Sequence, residues 1–168
     1  MNIAWVIAKE YLLPPSIPTA ALNDAAPIWA SWQLWRTYNV DNTVCYQDED
    51  AKQLINQGYH AVSNLYISEP AWQKLNKPLG VKCFGGAFSK SISQAEDVVS
   101  IHLAAAQNDL ILLLGFDLSD PNSMFYTGLI ESTPQQQWVI VDGTVPSKLS
   151  TLSNLTCDTL QNVLQSLT

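Results

Sequence analysis

The sequence predicts an α/β fold: a three-layer, doubly wound, mostly parallel sheet of about six strands, Rossmann-like in build, in a single domain over residues 1–168. Three observations lead there. The run Ile111 to Leu114 has no polar alternation and ends in Gly115-Phe116-Asp117. Such a run is a strand covered on both faces, as in the centre of a parallel sheet. Short apolar runs also alternate with helix-patterned segments along the chain, which calls for βαβ crossovers and helices on both faces. Finally, 47% of residues are hydrophobic and 14% charged, so the chain can bury a core.

In order, Asn2 to Ala8 reads as the first strand. A loop from Tyr11 to Asp24 follows, in which Pro14, Pro15 and Pro18 argue against a helix. A loop of this length is usually a lid, a binding loop or a contact surface. Asp24 and Pro27 suit the start of a helix, expected from Ala25 to Tyr38. Trp29, Trp32 and Trp35 recur every three residues there and would pack on the sheet. Thr43 to Tyr46 is the second strand, and Gln47 to Asp50 opens a helix whose acidic first turn suits the helix dipole. Gly58 ends that helix, Asn64 to Ser68 is the third strand, and Glu69-Pro70 opens a short helix.

Val81 to Phe84 is the fourth strand. The clearest helix runs from Ser93 to Gln107, with Val98, Val99, His102 and Ala105 on one face, so His102 reads as a hydrogen-bonded core residue. Beyond the central fifth strand, Asp120-Pro121-Asn122 starts a helix to Glu131, and Gln137 to Val141 is the sixth strand. The tail is polar from Leu149 and turns helical through Leu160, Val163, Leu164 and Leu167.

The doubly wound order 3-2-1-4-5-6 would place a switch point between the first and fourth strands, where such sheets keep their ligands. Lys9, Glu10 and the turn from Gly85 to Ser93 would line it, with Asp117 and Ser119 at the next strand along. Gly85-Gly86 permits close backbone approach, Ser89 and Ser91 bring hydroxyls, and Lys90 brings charge. Together they suit a small anion at a helix N-terminus. The competing reading is a plain turn with a serine N-cap, since neither a dinucleotide fingerprint nor a Walker motif is present. The candidate ligand-binding residues are therefore Lys9, Gly85, Gly86, Ser89, Lys90, Ser91, Asp117 and Ser119. No cofactor is implied. Asp48, Glu49, Asp50, Asp117 and Asp142 follow strand ends, but they belong to several strands and need not converge on a metal.

Charge narrows the partners. The net charge is −7 and Arg36 is the single arginine, which argues against nucleic acid. No apolar run is long enough for a membrane span, and the N-terminus has no basic region, so a cytoplasmic location is expected. Cys45, Cys83 and Cys157 are too few and too far apart for a disulfide framework or a zinc site.

The segment from Phe84 to Leu118, FGGAFSKSISQAEDVVSIHLAAAQNDLILLLGFDL, resembles the Rossmann-like sialyltransferase and MptE-like group. The matching pieces are the Gly/Ser turn from Gly85 to Ser93, Ala104 to Ala106, and Gly115-Phe116-Asp117. The resemblance implies the fold and a nucleotide or nucleotide-sugar pocket at the turn and the strand end. It implies no activity, because the sialyltransferases use a histidine downstream of that strand, and His60 and His102 both precede Asp117. Two functions follow: a small protein holding a nucleotide, nucleotide sugar or other small anion, or a non-enzymatic assembly subunit of viral or accessory type. In the second, six tryptophans and a Pro-rich loop would bury on contact, a homo-oligomer being one such assembly.

Overall fold

The computed structural model describes residues 1–85 and 95–167. In chain order the strands are β1 (Ile3–Ile7), β2 (Ile28–Ser31), β3 (Asn42–Cys45), β4 (Asn64–Ser68), β5 (Lys82–Phe84), β6 (Leu110–Leu114), β7 (Gln137–Val141) and β8 (Leu155–Asp158). The α-helices are α1 (Thr19–Ala25), α2 (Asp48–Asn56), α3 (Glu69–Lys74), α4 (Ala95–Ala105), α5 (Met124–Ser132) and α6 (Leu160–Leu167). The strands form one sheet of eight in the order β5-β4-β3-β2-β1-β6-β7-β8. Every neighbouring pair is parallel.

The α/β class and the parallel sheet are as the sequence predicts, whereas the strand number and order differ. The tryptophan-rich segment is not a helix. Ile28 to Ser31 is a strand buried along its whole length, followed by a 3-10 turn from Trp32 to Leu34. The three-residue spacing of Trp29, Trp32 and Trp35 comes from a strand running into that turn. The Pro-rich loop does contain a helix, since α1 starts directly after Pro18, at the N-cap position where proline removes no helical hydrogen bond. The polar tail holds β8, an edge strand whose one buried residue, Leu155, gives no apolar run to detect. With these additions β1 pairs with β2 and β6, not with Val81–Phe84, so the switch point lies between β1 and β6.

Why β6 is apolar throughout is now plain. It registers with β1 from Ile3↔Leu110 to Ile7↔Leu114, and with β7 from Leu110↔Gln137 to Leu114↔Val141. Ile111 and Leu113 meet α4 and α5 through Val98, Val99, Ile101 and Ile130. Leu112 and Leu114 face the other side, with Leu22 of α1 and Leu160 and Val163 of α6. Farther along that second side, α2 and α3 cover Cys45, Leu65 and Ile67. The result is a three-layer sandwich. Helix α4 carries the chain from edge strand β5 back to the centre and lies across β1, β2 and β3. Burying its Val98, Val99 and Ile101 contributes about 1.5–3 kcal/mol each.

No tryptophan is exposed. Trp5, Trp29 and Trp138 are buried and Trp32, Trp35 and Trp72 half-buried. Among the described residues no helix is long and apolar enough to cross a membrane. The His102 Nδ1–H donates to the Val98 carbonyl on its own helix at 2.9 Å.

Candidate functional site

All eight strands end on the same edge because the sheet is wholly parallel. That edge has two unlike halves. Over β1, β2 and β3 it is closed by carboxylates from the first turn of α4. The Lys9 N–H, just past β1, donates to both Asp97 oxygens at 3.3 and 3.2 Å. The Ser31 hydroxyl at the end of β2 donates to Glu96 Oε2 at 2.6 Å, and the Tyr46 N–H past β3 donates to Glu96 Oε1 at 3.0 Å. Three strand ends are thus tied to one helix by two side chains.

These tethers are placed in little water. Burial pushes Asp97 up to about 7, against the opposing pull of the Lys9 amide and ammonium, with Glu96 and Glu10 adding repulsion. Burial likewise raises Glu96, while the Ser31 and Tyr46 donors hold it down. In a dinucleotide-binding sheet an amide at this point would meet phosphate. Here the chain supplies its own anion, and an incoming phosphate would face Glu10, Glu96 and Asp97.

The other half is open. A cavity of about 440 Å³ lies over the ends of β6 and β7, lined by Tyr11, Gly115, Phe116, Asp117, Ser119, Val141, Asp142, Gly143 and Thr144. Its floor depends on two glycines. Gly115 has φ +83°, and a Cβ there would lie 2.6 Å from the Tyr11 Cβ, so glycine alone lets Tyr11 rest on the strand end. A Cβ on Gly143 would lie 2.5 Å from Ile140 Cγ2. Tyr11 is held in place by its N–H, which donates to the Ala8 carbonyl, and by its carbonyl, which accepts from the Tyr38 hydroxyl. Burial, then the Asp142 charge and Tyr38, push the Tyr11 phenol up to about 12, so it stays neutral and able to donate.

The two carboxylates are positioned by local bonds. Asp117 Oδ1 accepts the Ser119 N–H at 2.8 Å and the Ser119 hydroxyl at 2.5 Å, an Asx-type turn that lowers its pKa. Asp142 sits in the left-handed region, at φ +55°, which a short polar side chain tolerates. Its Oδ1 accepts the Leu160 N–H at 2.8 Å, which ties β7 to the start of α6. In each residue Oδ2 has no hydrogen-bond partner among the described residues. Among the described residues no Lys, Arg or His lines the cavity.

Of the residues picked from sequence, Asp117 and Ser119 share this cavity. Lys9 lies on the closed half, its amide taken by Asp97. Gly85 follows edge strand β5, four strands from β1 and so about 19 Å away. Gly86, Ser89, Lys90 and Ser91 lie outside the described residues. Sequence reasoning missed Tyr11, Gly143 and Thr144 as lining residues. Asp142-Gly143-Thr144, a polar triplet directly after a strand, was the available signal; Tyr11 gave none, since its place depends on Gly115. Asp48, Glu49 and Asp50 form the first turn of α2, where Asp48 pairs with Lys74. Among the described residues no group of three or more His, Cys, Asp and Glu side chains could hold a metal ion. No family model matches the chain, and neither does any curated protein or solved structure.

Proposed function

We propose that this is a small-molecule-binding protein that holds a hydroxyl-bearing ligand, a sugar or the sugar part of a nucleotide or nucleotide sugar, over β6 and β7. The observation that carries this reading is the composition of the 440 Å³ cavity. Its size falls within the usual range for small-molecule sites. Asp117 and Asp142 offer acceptor oxygens, Ser119, Thr144 and Tyr11 offer hydroxyls, and Phe116 and Val141 offer apolar surface. Hydrogen bonds from ligand hydroxyls to carboxylates are worth about 1.5–3 kcal/mol each. The three cysteines are unpaired, which supports a reducing, cytoplasmic setting. The likeness of Phe84–Leu118 to sialyltransferase-like proteins supports the sugar class.

The test is thermal-shift titration with monosaccharides, nucleosides and nucleotide sugars, on the wild type and on Asp117→Asn and Asp142→Asn. A ligand at a hundredfold its Kd adds about 2.7 kcal/mol to stability. A saturable shift lost in both variants is expected. No shift at millimolar ligand for any of the three classes overturns the proposal.

A second reading, an assembly subunit, has support in the sheet edges. Lys82 and Cys83 of β5 and Thr156, Cys157 and Asp158 of β8 are exposed, and open edge strands invite pairing. Its tryptophan argument is weakened, because none is exposed. Light scattering at high concentration tests it, and a monomer throughout would remove it.

A further inference from the structure

The cavity over β6 and β7 has a neighbour. A second cavity of about 480 Å³ is lined by Asp142, Gly143, Cys157, Asp158 and Thr159, at the ends of β7 and β8. The two share Asp142 and Gly143. Gly143 has no side chain, and Ile140 packs where one would begin. Asp142 borders both cavities, with its Oδ1 held by the Leu160 amide of α6. From β6 to β8 is two strand spacings, about 10 Å, longer than one hexose ring.

Carboxylates and hydroxyls recur along this length. Asp117, Ser119, Asp142, Thr144, Asp158 and Thr159 supply them, and among the described residues no Lys, Arg or His lines either cavity. Such a groove accepts chains of hydroxyls and repels phosphate at its β8 end. Resting on the function proposed above, we infer that the two cavities are adjoining subsites of one groove that takes an uncharged oligosaccharide of at least two units. The first unit lies between Tyr11 and Asp142, and the second lies over Cys157.

Cysteine chemistry supplies a direct readout. Cys157 is exposed in the second subsite, and Cys83 is exposed on β5 at the opposite edge of the sheet. Cys45 is buried with its thiol pKa pushed up, chiefly by burial, and stays inert. The experiment measures N-ethylmaleimide labelling of each cysteine by peptide mass spectrometry, with thermal shift alongside. The probes are glucose and N-acetylglucosamine, and the di- and trisaccharides of each. The expected result is that both lengths stabilise the protein, but only the longer ones slow Cys157 labelling, by about tenfold at ninety per cent occupancy, with Cys83 unchanged. Cys157→Trp, which fills the second subsite from an exposed position, should weaken disaccharide binding and spare monosaccharide binding. The inference is overturned alone if disaccharides stabilise the wild type, lose that effect in Asp117→Asn, and leave Cys157 labelling unchanged. If no saccharide of any length stabilises the protein while a nucleoside or nucleotide sugar does, the inference falls and the broader reading stands. If nothing in any class binds, both fall.

Discussion

Asp97 makes a quantitative demand on stability. Asp97 is 1% exposed and, among the described residues, its carboxyl receives only the two long bonds from the Lys9 amide. Burial carries it from the ordinary 3.8 to about 7 in the folded protein. Between those values the folded chain keeps a proton that the unfolded chain has released. Stability must then fall as pH rises through that window, be fully present below it, and level off above it. At about 1.4 kcal/mol per pH unit, the loss across the window comes to about 4 kcal/mol. Asp97→Asn keeps an acceptor for the Lys9 amide and removes the titration. Lys9, Glu10, Glu96 and Tyr126 are the charged and titratable neighbours, and Glu96→Gln in both backgrounds separates the repulsion between Glu96 and Asp97 from the titration of Asp97 itself. Urea unfolding followed by tryptophan fluorescence between about pH 4 and pH 8 measures it. The variant should match the wild type at the acid end and exceed it by about 4 kcal/mol at the alkaline end, a midpoint gain of about 2 M urea. A difference that stays flat to within about 0.5 kcal/mol would refute the buried, strained carboxylate.

Three further outcomes are expected. Gly115→Ala should cost about 2–4 kcal/mol in urea unfolding, from a left-handed backbone and the clash with Tyr11; a neutral result would mean that Tyr11 does not rest on the strand end. Asp117→Asn should cost at most about 1 kcal/mol, because the turn to Ser119 is exposed and the amide oxygen can still accept; a larger loss would make Asp117 a structural cap first. Trp138→Phe should destabilise more than Trp5→Phe by about 1 kcal/mol, since the Trp138 indole N–H donates to the Thr133 hydroxyl at 3.2 Å whereas the buried Trp5 indole N–H has no partner among the described residues. Equal losses in paired denaturation curves would count against that difference.

Residues that carry their own signal were legible. Ile111 to Leu114 announced a doubly covered strand, and Asp117 with Ser119 stood out as the polar residues past its end, which the structure places in one cavity. What was not legible depended on partners far away in sequence. Ile28 to Ser31 is too short and too uniformly buried to show a two-residue period, and its tryptophan spacing imitates a helix. Leu155 to Asp158 is a strand only because Val139 and its neighbours offer it a ladder. Asp97 drew no notice in the sequence, because its partner, the Lys9 amide, lies 88 positions earlier. Tyr11 became part of a site through a glycine more than a hundred positions later, a relation no local pattern records.

The place of β6 has a consequence in time. Asn2 and Asp109 are joined across 107 positions, and β1 waits for β6 to cover its second side. As the chain leaves the ribosome, the first five strands can assemble while Trp5 and Ile7 still border a bare, sticky flank. At about 5–20 residues per second that flank stays open for about 5–20 seconds. Helix α4, emerging just before β6, lays the nascent sheet's roof and delivers its missing neighbour in one movement. Newborn chains of this protein are therefore most vulnerable to clumping in the interval before residue 114 appears, and a chaperone that shields them would act on the ribosome rather than after release.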